Sequence, residues 1–388
     1  MTRLEPFQIA VPEADLIDLR RRLSAARWPS RETVLDWSQG VPLGVLHKLC
    51  EHWQTAYDWR ATERRLNRLP HYRAAIDGLP VHFIHLPSPV VDAVPVIMTH
   101  GWPGSFFEFE QVIQRLADPA AFGEPPRQAF HVVVSSLPGY GFSEAPNEPG
   151  WNIHRIAAAW AELMDRLGYS RFIALGSDWG TSISTCLALD HRPRVLGLHL
   201  IPPLVPPPAR GTTLSEPERA AIARLEERNR TNSAYSQIQA TRPQTLGYSL
   251  VDSPVGLCAW ILEKVWTWSD HQGDLWEVLS PDQVLDNITL YWLTRTGAHQ
   301  LGCTGRASQK LPPGSPDQVA IASPFRLDAP SSHRRYQGPS ADGPNHGSHR
   351  SSTGASRSEA ATSEPGNNRS CSSPKFAPYP VPSQSMDE

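Results

Sequence analysis

Paired cysteines are missing from this 388-residue sequence. Its five cysteines, Cys50, Cys186, Cys258, Cys303 and Cys371, form no CxxC and share no ligand spacing with histidine. That sets aside a disulfide framework and a structural zinc site, and no metal is expected. A basic surplus is missing too. Lys and Arg number 36 against 39 Asp and Glu, a net charge of −3, and a chain without a cationic surface does not neutralise nucleic-acid phosphates. The start, MTRLEPFQIAVPEADLIDLRRRL, lacks an uninterrupted apolar run, because Glu5, Glu13, Asp15 and Asp18 break it. Neither a signal peptide nor a membrane anchor is expected there, and a cytoplasmic location is the default expectation. Tryptophan is absent after Trp292 although the chain holds 13. Residues 298–388 contain 17 Ser and 12 Pro but only 8 of Leu, Ile, Val and Phe together. So little apolar surface does not offset the entropy of ordering a chain, and a disordered tail is expected.

What is present before residue 298 alternates. PEADLIDLRRRLSAA (12–26) puts Leu16, Leu19 and Leu23 on one helical face, with acids early and arginines late as the helix dipole prefers. A second helical stretch spans 43–60. GLPVHFIHL (78–86) alternates as a strand, and VPVIMTH (94–100) is a continuous apolar run of the kind buried on both faces. AFHVVVSSLPGYG (129–141) is another strand entering a turn. IAAAWAELMDRLGY (156–169) reads as a helix stopped by Gly168, and RFIALGSDWG (171–180) as a strand entering a tight turn. TSISTCLALDH continues as a helix and VLGLHLIPP (195–203) as a strand. Strand and helix in alternation at these lengths predict an α/β fold with a parallel sheet wrapped by helices. After Pro208 the pattern turns helical up to Gly297, as an insertion over the sheet would.

Two motifs carry chemistry. Gly176-Ser177-Asp178-Trp179-Gly180 stands at a strand-to-helix turn, where small residues two positions either side let a strained turn push the middle side chain over the sheet. The middle residue is Asp178; Ser177 is one position off. A carboxylate suits opening a strained ring or displacing a leaving group from carbon, through an alkyl-enzyme ester. Alone, the motif also fits an Asp that merely caps a helix. The second motif, His100-Gly101-Trp102-Pro103-Gly104, follows the strand at 94–100, where such folds supply one backbone N–H of an oxyanion hole. Trp179, the residue after the nucleophile, supplies the other.

HGWPGSFFEF, LPGYGFS and GSDWG in that order resemble the microsomal-type epoxide hydrolases of the α/β-hydrolase superfamily. PFQIAVPEADLIDLRRRLSAARWP and YDWRATERRLNRLPHYRAAIDGLPVHFIH look like that family's N-terminal meander. SAYSQIQATRPQTLGYSLVDSPVGLCAWILEKVWTWSD looks like its cap. The resemblance covers about residues 4–297. It implies an α/β-hydrolase fold divided into a meander with the first strands (1–90), a core (91–204), a helical cap (205–297) and the tail (298–388). It further implies that Asp178 attacks an epoxide carbon while Tyr235 of the cap protonates the oxirane oxygen, that the Trp102 and Trp179 N–H groups hold the ester oxyanion, and that Trp102, Trp179 and Trp260 line an apolar substrate pocket. The implied reaction takes a small epoxide and water to a diol and needs no cofactor; a homodimer stays open.

The family also uses a second cap tyrosine, a histidine base in a GGHF-like stretch and an acid on later loops, and no such motif occurs here. His299, His333, His346 and His349 lie in the tail without one, and His100 matches a structural family residue. The end of the sheet would then be replaced by the tail, leaving a strand edge open. Two alternatives therefore stand beside an epoxide hydrolase: a truncated or frame-disrupted relative alkylated at most once, and a haloalkane dehalogenase. Trp102, Tyr235 and the meander argue against the dehalogenase.

Overall fold

The computed structural model describes residues 4–202 and 213–297. The tail expected to be disordered, 298–388, lies outside them, as do Pro203 and the nine residues after it.

Seven strands, β1 (Glu5–Phe7), β2 (His71–Ile76), β3 (Leu79–Leu86), β4 (Val94–Thr99), β5 (Phe130–Ser135), β6 (Phe172–Ser177) and β7 (Val195–Ile201), form one sheet. Their order is β1-β2-β3-β5-β4-β6-β7. The helices before the nucleophile turn are α1 (Glu13–Ser24), α2 (Leu43–Thr55), α3 (Trp59–Leu66), α4 (Glu110–Ala117) and α5 (Ile153–Arg166). After it come α6 (Trp179–Asp190), α7 (Glu216–Asn232), α8 (Ala234–Thr241), α9 (Pro243–Asp252), α10 (Pro254–Trp268) and α11 (Pro281–Leu293).

The strands β5, β4, β6 and β7 are parallel and read in sequence as apolar runs. Val96, Ile97 and Met98 of β4 and Val132, Val133 and Val134 of β5 are buried, as strands covered on both faces must be. The sheet, expected to be parallel, is mixed. β1, β2 and β3 are antiparallel to one another, and β3 is antiparallel to β5. The cause is local: Asp77 and Gly78 sit at φ 47° and 75°, the geometry of a two-residue hairpin turn that reverses β2 into β3. The single helix expected over 43–60 is also broken. The Asp58 carboxylate accepts the Arg60 N–H at 2.9 Å and so caps a new helix, α3, at Trp59. Among the described residues β7 pairs with β6 alone, and its Leu196, Leu198 and Ile201 are exposed. No single helix among them is long and apolar enough to cross a membrane.

One buried carboxylate ties the meander to α11. Asp286 accepts the Tyr57 hydroxyl at 2.7 Å, the Thr62 hydroxyl at 2.6 Å and the Arg65 guanidinium at 2.5 Å. Burial, and then the Asp286 charge, push the Tyr57 phenol well above its usual range. Asp286→Ala strips three donors of their acceptor at once, and the expected loss is about 3 kcal/mol of unfolding free energy. A fall in the urea midpoint at unchanged m-value would show it; an unchanged midpoint would make the network dispensable.

Candidate active site

The turn between β6 and α6 is strained where the sequence pattern places the nucleophile. Asp178 has φ 53° and ψ −114°, a conformation that non-glycine residues hold only when their surroundings enforce it. The enforcement is visible. The Asp178 N–H donates to the Ile201 carbonyl at 3.0 Å, and the Thr181 hydroxyl donates to the Gly176 carbonyl at 3.0 Å. Both flanking glycines are required by close approach. A Cβ on Gly176 would stand 2.0 Å from the Gly180 carbonyl oxygen, and one on Gly180 would stand 1.9 Å from the Thr99 carbonyl oxygen.

The HGWPG loop lies against that turn. The Trp102 N–H donates to Asp178 Oδ1 at 3.0 Å, and the Trp179 N–H also donates to the Asp178 carboxylate. Burial pushes the Asp178 carboxyl up to about 6; the two N–H donors and, more remotely, Arg228 of α7 oppose that rise. Gly101 is the contact point, since a Cβ there would fall 2.2 Å from Asp178 Cβ. His100 is fully engaged elsewhere. Its Nδ1 bonds the Gly101 carbonyl at 2.9 Å and its Nε2 accepts the Leu137 N–H at 3.2 Å. Burial lowers its pKa to about 4 and keeps the ring neutral, so it braces the loop. From the other side α11 clamps the same loop. Tyr291 donates to the Gly104 carbonyl and Asn287 Nδ2 to the Pro103 carbonyl, each at 2.7 Å, and Ser105 donates to Asn287 Oδ1 at 2.8 Å.

Above the loop stands an aromatic wall. Tyr235 of α8 is buried and stacks on Trp102, with centroids 5.3 Å apart and planes 17° apart. Trp260 lies 6.4 Å and Trp268 6.2 Å from Trp102, and Trp268 meets Tyr235 edge-on at 5.4 Å. Trp179 is partly buried at the edge of the core. The expected residues Asp178, Trp102, Trp179, Tyr235 and Trp260 thus fall around one locus. Three neighbours were not anticipated. Trp268 is one, and the buried Lys264 is another, its Nζ 4.5 Å from the Tyr235 ring centre and paired with Glu263. Trp260, Lys264 and Trp268 stand four residues apart on α10, so the helical period alone puts them on one face. The third is Glu108, whose Oε1 occupies the space over Gly104, only 1.5 Å from where a Cβ would stand. Among the described residues, no cluster of His, Cys, Asp or Glu could hold a metal ion.

Sequence comparison agrees with this geometry. Residues 4–109 match the family described as epoxide hydrolase N terminus, and residues 94–238 match the alpha/beta hydrolase fold family. Epoxide hydrolase 1 of Sus scrofa is 36% identical over 320 residues, covering 76% of this chain and 70% of its own. The chain belongs to the epoxide hydrolase family. A Stigmatella aurantiaca (strain DW4/3-1) protein that carries the epoxide hydrolase name is 53% identical over 296 residues, covering 76% of this chain and 67% of that one. The solved Aspergillus niger epoxide hydrolase superposes with a TM-score of 0.71 at 32% identity, covering 78% of each chain. As an epoxide hydrolase family member, the chain has the α/β-hydrolase fold.

Proposed function

We propose that the chain opens apolar or aromatic epoxides through an ester on Asp178, toward vicinal diols. The observation that carries this reading is the Trp102 N–H bond to Asp178 Oδ1. With Oδ1 engaged, Oδ2 is the oxygen left to attack an epoxide carbon, and the negative charge that later develops on Oδ1 is already met by the Trp102 N–H. As the C–O bond of the ring breaks, its oxygen takes a proton from the Tyr235 phenol, a group neutral at pH 7 and carried by the cap side of the site. Trp102, Trp179 and Trp260 supply an apolar wall for the substrate. Water then attacks Asp178 Cγ, the Cγ–Oδ2 bond breaks and Oδ2 leaves with the diol. The domain division 1–90, 91–204, 205–297 follows the same reading, with the cap delivering the acid to the core's nucleophile.

Intact-mass spectrometry of the protein after incubation with styrene oxide tests it. Diol in the supernatant, or a single adduct of one substrate mass, supports the reading. A persistent adduct without diol would limit the chain to the first half-reaction. Neither diol nor adduct would end it.

A further inference from the structure

The aromatic wall over the nucleophile contains one lysine. Lys264 stands between Trp260 and Trp268 in the row of every fourth residue on α10, and it is only 5% exposed. Lysine is among the residues least often buried, because taking an ammonium out of water is costly unless it is paired. Its Nζ lies over the Tyr235 ring, 4.5 Å from the centre, and 6.0 Å from the centre of the Trp268 ring. The ammonium also donates to Asn232 Oδ1 at 3.3 Å and pairs with the Glu263 carboxylate. Asn232 ends α7 three residues before Tyr235, so the same ammonium holds both the corner that leads to the tyrosine and the ring itself. The two members of the ion pair are unequally shielded. The Glu263 side chain is 27% exposed and that of Lys264 6%. Water therefore screens the carboxylate more than the ammonium, and the ring has a net positive neighbour.

We propose that Lys264 is a positioning residue for ring opening, its charge stabilising the Tyr235 phenolate that the step leaves behind. This rests on Asp178 and Tyr235 being the nucleophile and the acid. As Asp178 Oδ2 bonds to the epoxide carbon and the ring C–O bond breaks, the phenol proton passes to the oxirane oxygen. Asp178 becomes a neutral ester and Tyr235 an anion. One negative charge has then crossed from the nucleophile turn to the cap, among the rings of Trp102 and Trp268, which solvate an anion poorly. Lys264 is the cation that meets it there. Arg228 of α7 acts at the other end, on Asp178, from which the charge departs. When water opens the ester, one of its protons goes to the leaving Oδ2 and the other restores the phenol, so the charge returns to Asp178. Atoms and charge close over the cycle.

The test counts opened styrene oxide, as adduct plus diol, in rapid-quench experiments on the full chain over a range of substrate concentrations. Lys264→Gln removes the charge and retains a donor for Asn232; Lys264→Met removes both and serves if the first variant fails to fold. Either is expected to lower the maximal rate of ring opening by about 10- to 100-fold, with the half-saturating concentration moved by less than about threefold. Lys264→Arg, which keeps the charge, should recover part of that rate. The deciding comparison is with Tyr235→Phe, in which no phenolate forms. There Lys264→Gln should cost less than about twofold, because the charge has nothing left to stabilise. Equal losses in the wild-type and Tyr235→Phe backgrounds would mark a brace for the cap and overturn the proposal. An unchanged maximal rate in Lys264→Gln would overturn it as well, as would a rise in the half-saturating concentration alone. A wild type that opens no epoxide would instead bring down the Asp178 reading, and a Tyr235→Phe variant at full rate the Tyr235 reading; the proposal falls with either.

Discussion

Asp178→Ala is expected to abolish adduct formation with styrene oxide, a loss on the order of 10⁴-fold or more in ring opening. Removing a covalent nucleophile removes the pathway and not merely one contribution to it. The turn itself should survive, because its shape is enforced by the approach of Gly176 to Gly180 and of Gly180 to Thr99. Asp178→Asn is the sharper control, since Asn keeps the size and tolerates a positive φ. In wild type the adduct rate should rise with pH and level off above about 6, because only the ionised carboxylate attacks. The same raised value makes a stability statement. The folded state binds the Asp178 proton more tightly than the unfolded state does, so wild type gains stability as pH falls through 6 toward 3.8 and carries the full penalty above 6. Asp178→Asn should therefore be more stable than wild type above pH 6, by roughly 1–2 kcal/mol after allowing for partial solvent screening, and the gap should close near pH 4. An adduct on Asp178→Ala, or wild-type alkylation independent of pH between 5 and 8, would contradict the assignment.

Tyr235→Phe should slow ring opening by about 10²- to 10⁴-fold and leave ester hydrolysis unchanged. The phenyl ring keeps the stack on Trp102 and the edge contact with Trp268, so the aromatic wall should survive the change. The Lys264 ammonium over the ring face favours the phenolate that forms as the proton leaves. The two steps separate in a burst experiment, where slower adduct appearance with unaltered decay identifies the acid. If both rates hold, Tyr235 is a packing residue and the proton comes from elsewhere.

The elbow and the oxyanion loop were legible because their chemistry is written over five consecutive residues each. Gly176, Gly180 and Gly101 are required by contacts under 3 Å that no side chain would survive. The buried strands were legible as apolar runs, and α1 as three leucines on one face. What escaped was set by turns and by helix period rather than by composition. Asp77-Gly78 reverses the chain into a hairpin, and that dipeptide was a readable signal for an antiparallel half of the sheet. Asp58 was a readable cap. Lys264 and Trp268 join Trp260 at intervals of four, which the period of α10 exposes once a helix is granted there. Glu108 gave no such sign. It stands in full view within HGWPGSFFEF, but nothing in its spacing says that a 3₁₀ turn will lay it over Gly104.

The Asp286 junction has a bearing on how the molecule comes into being. Its three donors precede it by 229, 224 and 221 residues, and one and five residues further along α11 stand the Asn287 and Tyr291 groups that hold the HGWPG loop. During synthesis the nucleophile turn, the loop and the meander all emerge before the helix that locks them together. The site therefore cannot mature stepwise behind the ribosome. It is completed in one late event, when α11 docks, and contacts of such long sequence separation make for slow closure. Until then the newborn chain holds an unassembled pocket with its apolar walls open, the kind of transient apolar surface that invites association.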